Sequence, residues 1–294
     1  MPGQQWKGNT YGNGWMHRWL VKMLRIIDVR ILYAFVSIFV IPVVLVVNSA
    51  SRSTIYRYFR SRHHRGRLAS AWLTYCNHCM MGQMVIDRFA MYAGRRFKVD
   101  VEGYDHFLSL AGKPDGFVQL SAHIGNYEIA GYTLVAERKV FNALVFAGEK
   151  ATVMENRNRM FAHTNIRMIP IMPDMSHLFA IDAALANGET VSIPADRVNG
   201  SPRTVVHSLL GADAKFPLGP FRIVAARSLD VLAVNVMKTG LRNYTIFVEP
   251  LHYDKDATST VKTAQIADAY VAALEDKIRR FPTQWFNYFD FWQQ

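Results

Sequence analysis

The chain has 294 residues, half of them hydrophobic, and a formal charge of +11. That length holds one large domain or two small ones, and two cysteines are too few for a secreted disulfide scaffold. The excess of positive charge points to anionic partners, whether nucleic acid, anionic lipid or a phosphorylated or acidic carrier, without choosing among them.

Met1 to Gly14 is polar and glycine-rich and reads as a loose start. From Trp15 to Arg30, Trp15, Trp19, Leu20, Met23, Leu24 and Ile27 recur at helical spacing, with Arg18, Lys22 and Arg25 among them. A basic amphipathic helix with tryptophan suits a membrane surface. Ile31 to Val47 then runs 17 residues without a charge, interrupted by Pro42. As a helix it is about 25 Å long, slightly short of a hydrocarbon core of roughly 30 Å. A short spanning helix, a helix embedded in one leaflet and a buried hairpin all fit this run. Arg52, Arg57, Arg60, Arg62, Arg65 and Arg67 follow with no acid among them. Basic residues beside an apolar segment mark the cytoplasmic leaflet. Residues 1–67 are therefore read as a membrane-associated region and 68–294 as a second, α/β domain.

Leu68 to Ala93 is a second helical stretch. It carries Cys76-x-x-Cys79, for which helix packing is a better reading than a redox pair or half a zinc site, since no second cysteine pair exists. Beyond it the rhythm alternates. Strands are predicted over Phe97–Val101, Phe117–Ala122, Phe141–Ala147, Ile166–Ile171, Thr190–Pro194, Leu229–Met237 and Tyr244–Val248. Helices are predicted over Glu128–Glu137, Met154–His163, Met175–Asn187, Leu218–Arg227 and Val261–Arg280, and a loop over Val198–Lys215. Such alternation implies a mostly parallel sheet covered by helices on both faces.

In such sheets active groups collect at the carboxyl ends of strands. Two predicted strand ends carry ionisable groups. The first is Leu120-Ser121-Ala122-His123-Ile124-Gly125-Asn126-Tyr127-Glu128. Along one helix His123 and Glu128 would diverge by roughly 140°. They meet only if His123 lies in a strand-to-helix turn and Glu128 in the first helical turn. Gly125 and Asn126 suit that turn. An imidazole oriented by an acid is what a general base needs; a half-buried histidine beside a capping acid is the plainer alternative. The second strand end is Asp196-Arg197. Asp196 is either an acid for His123 or a loop anchor, and Arg197 either an anion ligand or half of a local ion pair. Further on, Phe216-Pro217-Leu218-Gly219-Pro220 forms a tight turn before a helix. No G-x-S-x-G, Walker, G-x-G-x-x-G or H-E-x-x-H motif occurs. What is left is a base without a protein nucleophile, suited to activating a hydroxyl or amine.

These residues carry a resemblance. His123 to Glu128 resembles the H-x4-D/E motif of the lysophospholipid acyltransferase superfamily, and His-Ile-Gly-Asn-Tyr-Glu is similar to the form found in its bacterial lipid A acyltransferase branch. Asp196-Arg197, Phe216 to Pro220 and the ending from Phe281-Pro282-Thr283-Gln284-Trp285 to Trp292 agree in order. The block reads Pro-Leu-Gly-Pro where a glycerophosphate-type site has Pro-Glu-Gly-Thr. The resemblance implies a glycerolipid acyltransferase-like fold and transfer of a fatty acyl chain from acyl carrier protein or coenzyme A to a lipid acceptor. It implies no metal or other cofactor, no nucleic acid, and a place at the cytoplasmic face of a bacterial inner membrane. By the same resemblance His123 is the general base and Glu128 its expected direct partner. Asp196 is the alternative relay, Arg197, Asn126 and Gly219 are binding residues, and an arginine is expected at Arg157 or Arg159. A non-catalytic membrane-surface protein and an acyl-thioesterase stand as rivals.

Overall fold

The computed structural model describes residues 14–134, 139–146, 148, 151–162, 164–172, 174–198 and 203–293. The N-terminal helices are α1 (Gly14–Ile26), α2 (Val29–Phe35), a π-helical turn (Val36–Val40), α3 (Ile41–Val47) and α4 (Ser49–Ser61). Asp28 caps α2 by accepting from the Arg30 N–H at 2.8 Å. Val29–Val47 is continuous and is the one helix among the described residues long and apolar enough to cross a membrane. Pro42 does not break it, because it falls in the first turn of α3, just after the π-helical turn. Much of this helix is exposed: Ile31, Phe35, Ile38, Phe39, Val43 and Val46 face outward.

α5 (Arg67–Tyr92) carries the N-terminal helices on one side. In its long sequence only Asp87 and Arg88 are charged beyond Arg67. Asp87 is fully buried, where it meets Lys238 and the hydroxyls of Tyr33 and Tyr244. A buried carboxylate needs such partners, and through Tyr33 this cluster fastens the apolar helix to the sheet. Cys76 and Cys79 are free thiols on the same helix.

The remaining elements are β1 (Lys98–Glu102), α6 (Tyr104–Ala111), β2 (Phe117–Ser121), a 3-10 turn (Tyr127–Ile129), α7 (Ala130–Thr133), β3 (Phe141–Phe146), α8 (Ala151–Phe161), β4 (Ile166–Ile171), α9 (His177–Ala186), β5 (Thr190–Pro194), β6 (Thr204–Leu209), β7 (Ala212–Pro217), α10 (Leu218–Arg227), β8 (Val231–Lys238), β9 (Asn243–Pro250) and α11 (Ser259–Arg280). The sheet runs β1-β9-β8-β2-β5-β3-β4. All neighbours are parallel except β8 and β9. The expected mixed, mostly parallel sheet covered by helices is the architecture found. β2 and β8 are buried along their whole length, as central strands covered on both faces must be. One core packs α4, α10 and α11 against the sheet and a second packs α5 and α6 on its other face.

Three expectations change. Val198–Lys215 is not simply a loop: β6 and β7 form an antiparallel hairpin turning at Leu210-Gly211, both with positive φ. The helix after His123 is shorter than expected, with residues 135–138 outside the described set. Ser49–Ser61 and Tyr104–Ala111 are helices that the basic flank and the short gap after Gly103 had hidden. The start at residues 1–13 also lies outside the described residues.

Candidate active site

β2 and β5 are direct neighbours with Ser121 opposite Pro194. His123 and Asp196 each lie two residues beyond that pair, so they leave the carboxyl edge of the sheet side by side. Asp196 is wholly buried. Its Oδ2 accepts from the His123 backbone N–H at 3.0 Å, and its Oδ1 lies 2.8 Å from ring Nδ1. A carboxylate only accepts, so Nδ1 carries the proton and Nε2 is the basic atom. Burial pushes the Asp196 carboxyl up. The charge and hydrogen bonds of His123, with Arg197 nearby, more than offset this and hold it below the ordinary carboxylate value. The His123 side chain keeps 23% of its surface exposed, so the ring is both anchored and reachable.

The turn around His123 is held by the C-terminal segment. Gly125 N–H donates to Gln284 O at 2.8 Å, Phe286 N–H reaches His123 O at 3.4 Å, and Ile124 bridges to Trp285. On the other side Asn126, itself buried, donates its backbone N–H to Val236 O at 2.9 Å. Gly125 has φ +57°, and a Cβ there would sit 1.8 Å from Val236 O, so only glycine fits. The amides of His123, Gly125 and Asn126 are all committed within the protein. Those three amides are therefore not the donors of an oxyanion hole. The segment is fixed in its own right: Asn77 Nδ2 donates to Thr283 O and Trp285 O, and Gln284 bonds both backbone groups of Lys238.

Glu128 does not serve as the direct partner of the imidazole. It is buried on the opposite flank of the turn, where Arg157 Nη2 and Arg88 Nε reach its Oε1 and the Tyr92 hydroxyl donates to Oε2 at 3.1 Å. Four intervening residues give the chain room to turn its carboxylate toward α5 and α8. Burial pushes the Glu128 carboxyl up, and the two guanidinium charges reverse this and hold it low. Its charge in turn raises both arginines against the opposing effect of burial. Two cations on one carboxylate leave the cluster positive.

The other expected residues separate. Arg157 is the buried arginine of α8, and Arg159 stands exposed on the same helix. Arg197 turns inward. Its Nε donates to Asn287 Oδ1 at 3.2 Å and its Nη2 to Phe286 O at 3.1 Å, while the guanidinium lies over the Phe289 ring. It clamps the C-terminal segment to the end of β5, and burial lowers its pKa. Gly219 is the second residue of α10, with nothing within 4 Å of where a Cβ would stand, so packing does not require glycine there. Phe216, from the same block, is buried against Tyr270 and Phe291, and Tyr270 donates to Ser121 O at 2.8 Å, directly beneath the histidine turn.

Sequence reasoning passed over Arg88, Tyr92 and Asn77, and gave Gln284 no role of its own. Arg88 had a signal: it is one of two charges in an otherwise uncharged helical stretch.

A sequence model of the bacterial lipid A biosynthesis acyltransferases matches residues 64–293. The chain belongs to this family. The match takes in the histidine turn, the end of β5, the hairpin and the C-terminal segment. This member of the family is an acyltransferase acting on lipid substrates. No curated protein matches its sequence. Among solved structures, the 1-acyl-sn-glycerophosphate (LPA) acyltransferase PlsC from Thermotoga maritima is similar over 89% of this chain and 97% of its own, at 13% identity and a TM-score of 0.39.

Proposed function

We propose that this acyltransferase moves a fatty acyl chain from a thioester on acyl carrier protein or coenzyme A to a hydroxyl or amine of a lipid acceptor, such as a lipid A precursor or a lysolipid, with His123 as general base. Nε2 takes the proton of the acceptor group as its oxygen or nitrogen attacks the thioester carbonyl. The carbon–sulfur bond breaks, the thiolate leaves and is protonated, and an ester or amide results. Asp196 keeps Nδ1 protonated and stabilises the imidazolium formed in the transition state. Glu128, with Arg88 and Arg157, holds the far side of the turn and keeps positive charge there. The observation that carries the reading is the His123–Asp196 pair: an oriented, partly exposed imidazole at the carboxyl edge of a sheet.

The N-terminal helices act as the membrane-attachment region, at the cytoplasmic face of the inner membrane. Two features support this: the outward apolar face of Val29–Val47 and the arginines that follow it in α4. One side of that helix packs along α5, and α5 in turn holds the C-terminal segment behind the histidine turn through Asn77.

The test is transfer by the full chain from labelled acyl carrier protein and acyl coenzyme A to lipid acceptors. His123→Ala should lower turnover by about 10²–10⁴-fold with little change in melting temperature. Activity that survives the substitution would contradict the reading. Release of free fatty acid with no acylated lipid would make the protein a thioesterase. The full chain should stay with membranes through a carbonate wash; its appearance in the soluble fraction would contradict the attachment.

A further inference from the structure

A groove of about 170 Å³ lies between α4 and the C-terminal segment, with Arg57, Tyr58 and Arg62 on one wall and Trp285, Asn287 and Asp290 on the other. Two N–H groups of its lining residues have no partner among the described residues: Trp285 Nε1 and Asn287 Nδ2. Yet Trp285 is only 2% exposed and Asn287 only 3%. The amide's orientation is fixed by its neighbour. Arg197 Nε bonds Asn287 Oδ1, and a guanidinium has only donors, so the oxygen must face it and the NH2 must point elsewhere. Buried donors are almost always satisfied, and two unsatisfied ones in the lining of one groove mark a place for an acceptor from outside.

The charges agree. Arg57 stands 3.5 Å from Asp290 Oδ2, a loose and half-exposed pairing. Arg62 lies 4.5 Å over the Trp292 ring and has no carboxylate partner among the described residues. Two guanidiniums against one carboxylate leave the groove positive. Unpaired donors under a surplus of cations suit a group with several acceptor oxygens and negative charge, and guanidiniums match phosphoryl geometry in particular.

We propose that this groove binds a phosphoryl group carried by one of the two substrates; the inference rests on the acyl-transfer reading above. The groove is joined to the chemistry through its own wall. Trp285 bridges to Ile124, the next residue bonds His123 O, and Asn287 holds Arg197 beside Asp196. A phosphoryl group seated on Trp285 and Asn287 therefore rests on the same segment that shapes the histidine turn. Its source is either the phosphate of the carrier-borne or coenzyme thioester or a phosphate on the lipid acceptor.

Two variants of the full chain test this. Arg57→Gln with Arg62→Gln removes the cations from a partly exposed face. Asn287→Asp keeps the oxygen that Arg197 needs and turns the unpaired donor into an anion. Each should raise the KM of the phosphoryl-bearing substrate by about tenfold, and the double arginine variant should do so with kcat within about twofold and an unchanged melting temperature. A rise confined to the donor KM assigns the phosphoryl group to the thioester; a rise confined to the acceptor KM assigns it to the lipid. Titration of inorganic phosphate into the detergent-solubilised wild type, followed by calorimetry, should show saturable binding that both variants lose. This second reading needs no turnover, so it separates failure of the groove from failure of the acyl-transfer reading. Wild-type binding of phosphate while neither KM moves in the variants would be an adventitious ion only and would overturn the proposal, as would absent binding with both KM values unchanged.

Discussion

Asp196 and Glu128 are both buried carboxylates beside the same turn, and both are held in the ionised form, but by different neighbours. Asp196 is satisfied by two donors of His123, one backbone and one ring N–H. Glu128 is satisfied by two arginines and a tyrosine from α5 and α8. The first pairing is to an imidazole, whose other ring nitrogen can take up a proton. The second is to two guanidiniums and a hydroxyl, which keep their protons. An acid therefore contributes to proton transfer through what it touches, and nearness in sequence to the histidine does not decide this. Asp196 is 73 residues from His123 and makes the contact.

The comparison breaks most sharply under amide substitution. Asp196→Asn should lower kcat by about 10²–10⁴-fold, because an amide offers one acceptor where two donors need one each. Either the backbone N–H loses its partner or the NH2 faces Nδ1 and forces the other tautomer. The melting temperature should fall only modestly, as for one lost hydrogen bond of about 1–3 kcal/mol. Glu128→Gln should behave the other way round. It leaves two buried guanidiniums without a counter-charge and should cost about 3–5 kcal/mol of stability, while kcat measured well below the melting temperature falls by less than about tenfold. Chemical denaturation and single-turnover assays on the two proteins separate these outcomes. Arg88→Lys should be milder than removal of the glutamate, since a charge remains and only the guanidinium geometry is lost, costing about 1–2 kcal/mol in the same denaturation assay.

The smallest expected effect lies in the pH dependence of stability. Both carboxyls have folded pKa values below their unfolded ones. Their contribution is complete above the ordinary carboxylate value of about 4 and is lost as pH falls through the lower folded values. Either amide variant should flatten that acid limb. His63 provides a control at higher pH. Burial, with the charges of Arg65 and Arg279, pushes it from 6.5 down to about 4. The unfolded chain then binds a proton that the folded chain refuses between those values, so stability should decline as pH drops across that window. His63→Phe should remove this slope and leave the acid limb in place, as read by melting temperature against pH.

Much of the scaffold was legible before the structure. The strands Ile166–Ile171 and Thr190–Pro194 and the helix Leu218–Arg227 fall where hydrophobic periodicity puts them, because each is bounded by glycine, proline or a change of period. The hairpin of β6 and β7 was not read, although alternation in Thr204–Leu209 and the Leu210-Gly211 turn were present. Its polar, half-exposed strands look like loop. For the site, the residues His123, Glu128, Asp196 and Arg197 were legible, and the pairing among them was not. Pairing follows from β5 lying next to β2 in register, and strand order is a long-range property that local pattern does not carry. The same holds for Arg197, whose partners Phe286 and Asn287 lie about ninety residues away in the C-terminal segment.

The state of the His123 ring tests the central claim most directly. Nitrogen NMR of histidine-labelled protein reports which ring nitrogen carries the proton. The Asp196 pairing predicts a His123 protonated on Nδ1 in the neutral wild type, unchanged in Glu128→Gln and shifted to the Nε2-protonated form in Asp196→Asn. A wild-type ring protonated on Nε2, or a tautomer that changes in Glu128→Gln and not in Asp196→Asn, would contradict the account and return the role to Glu128.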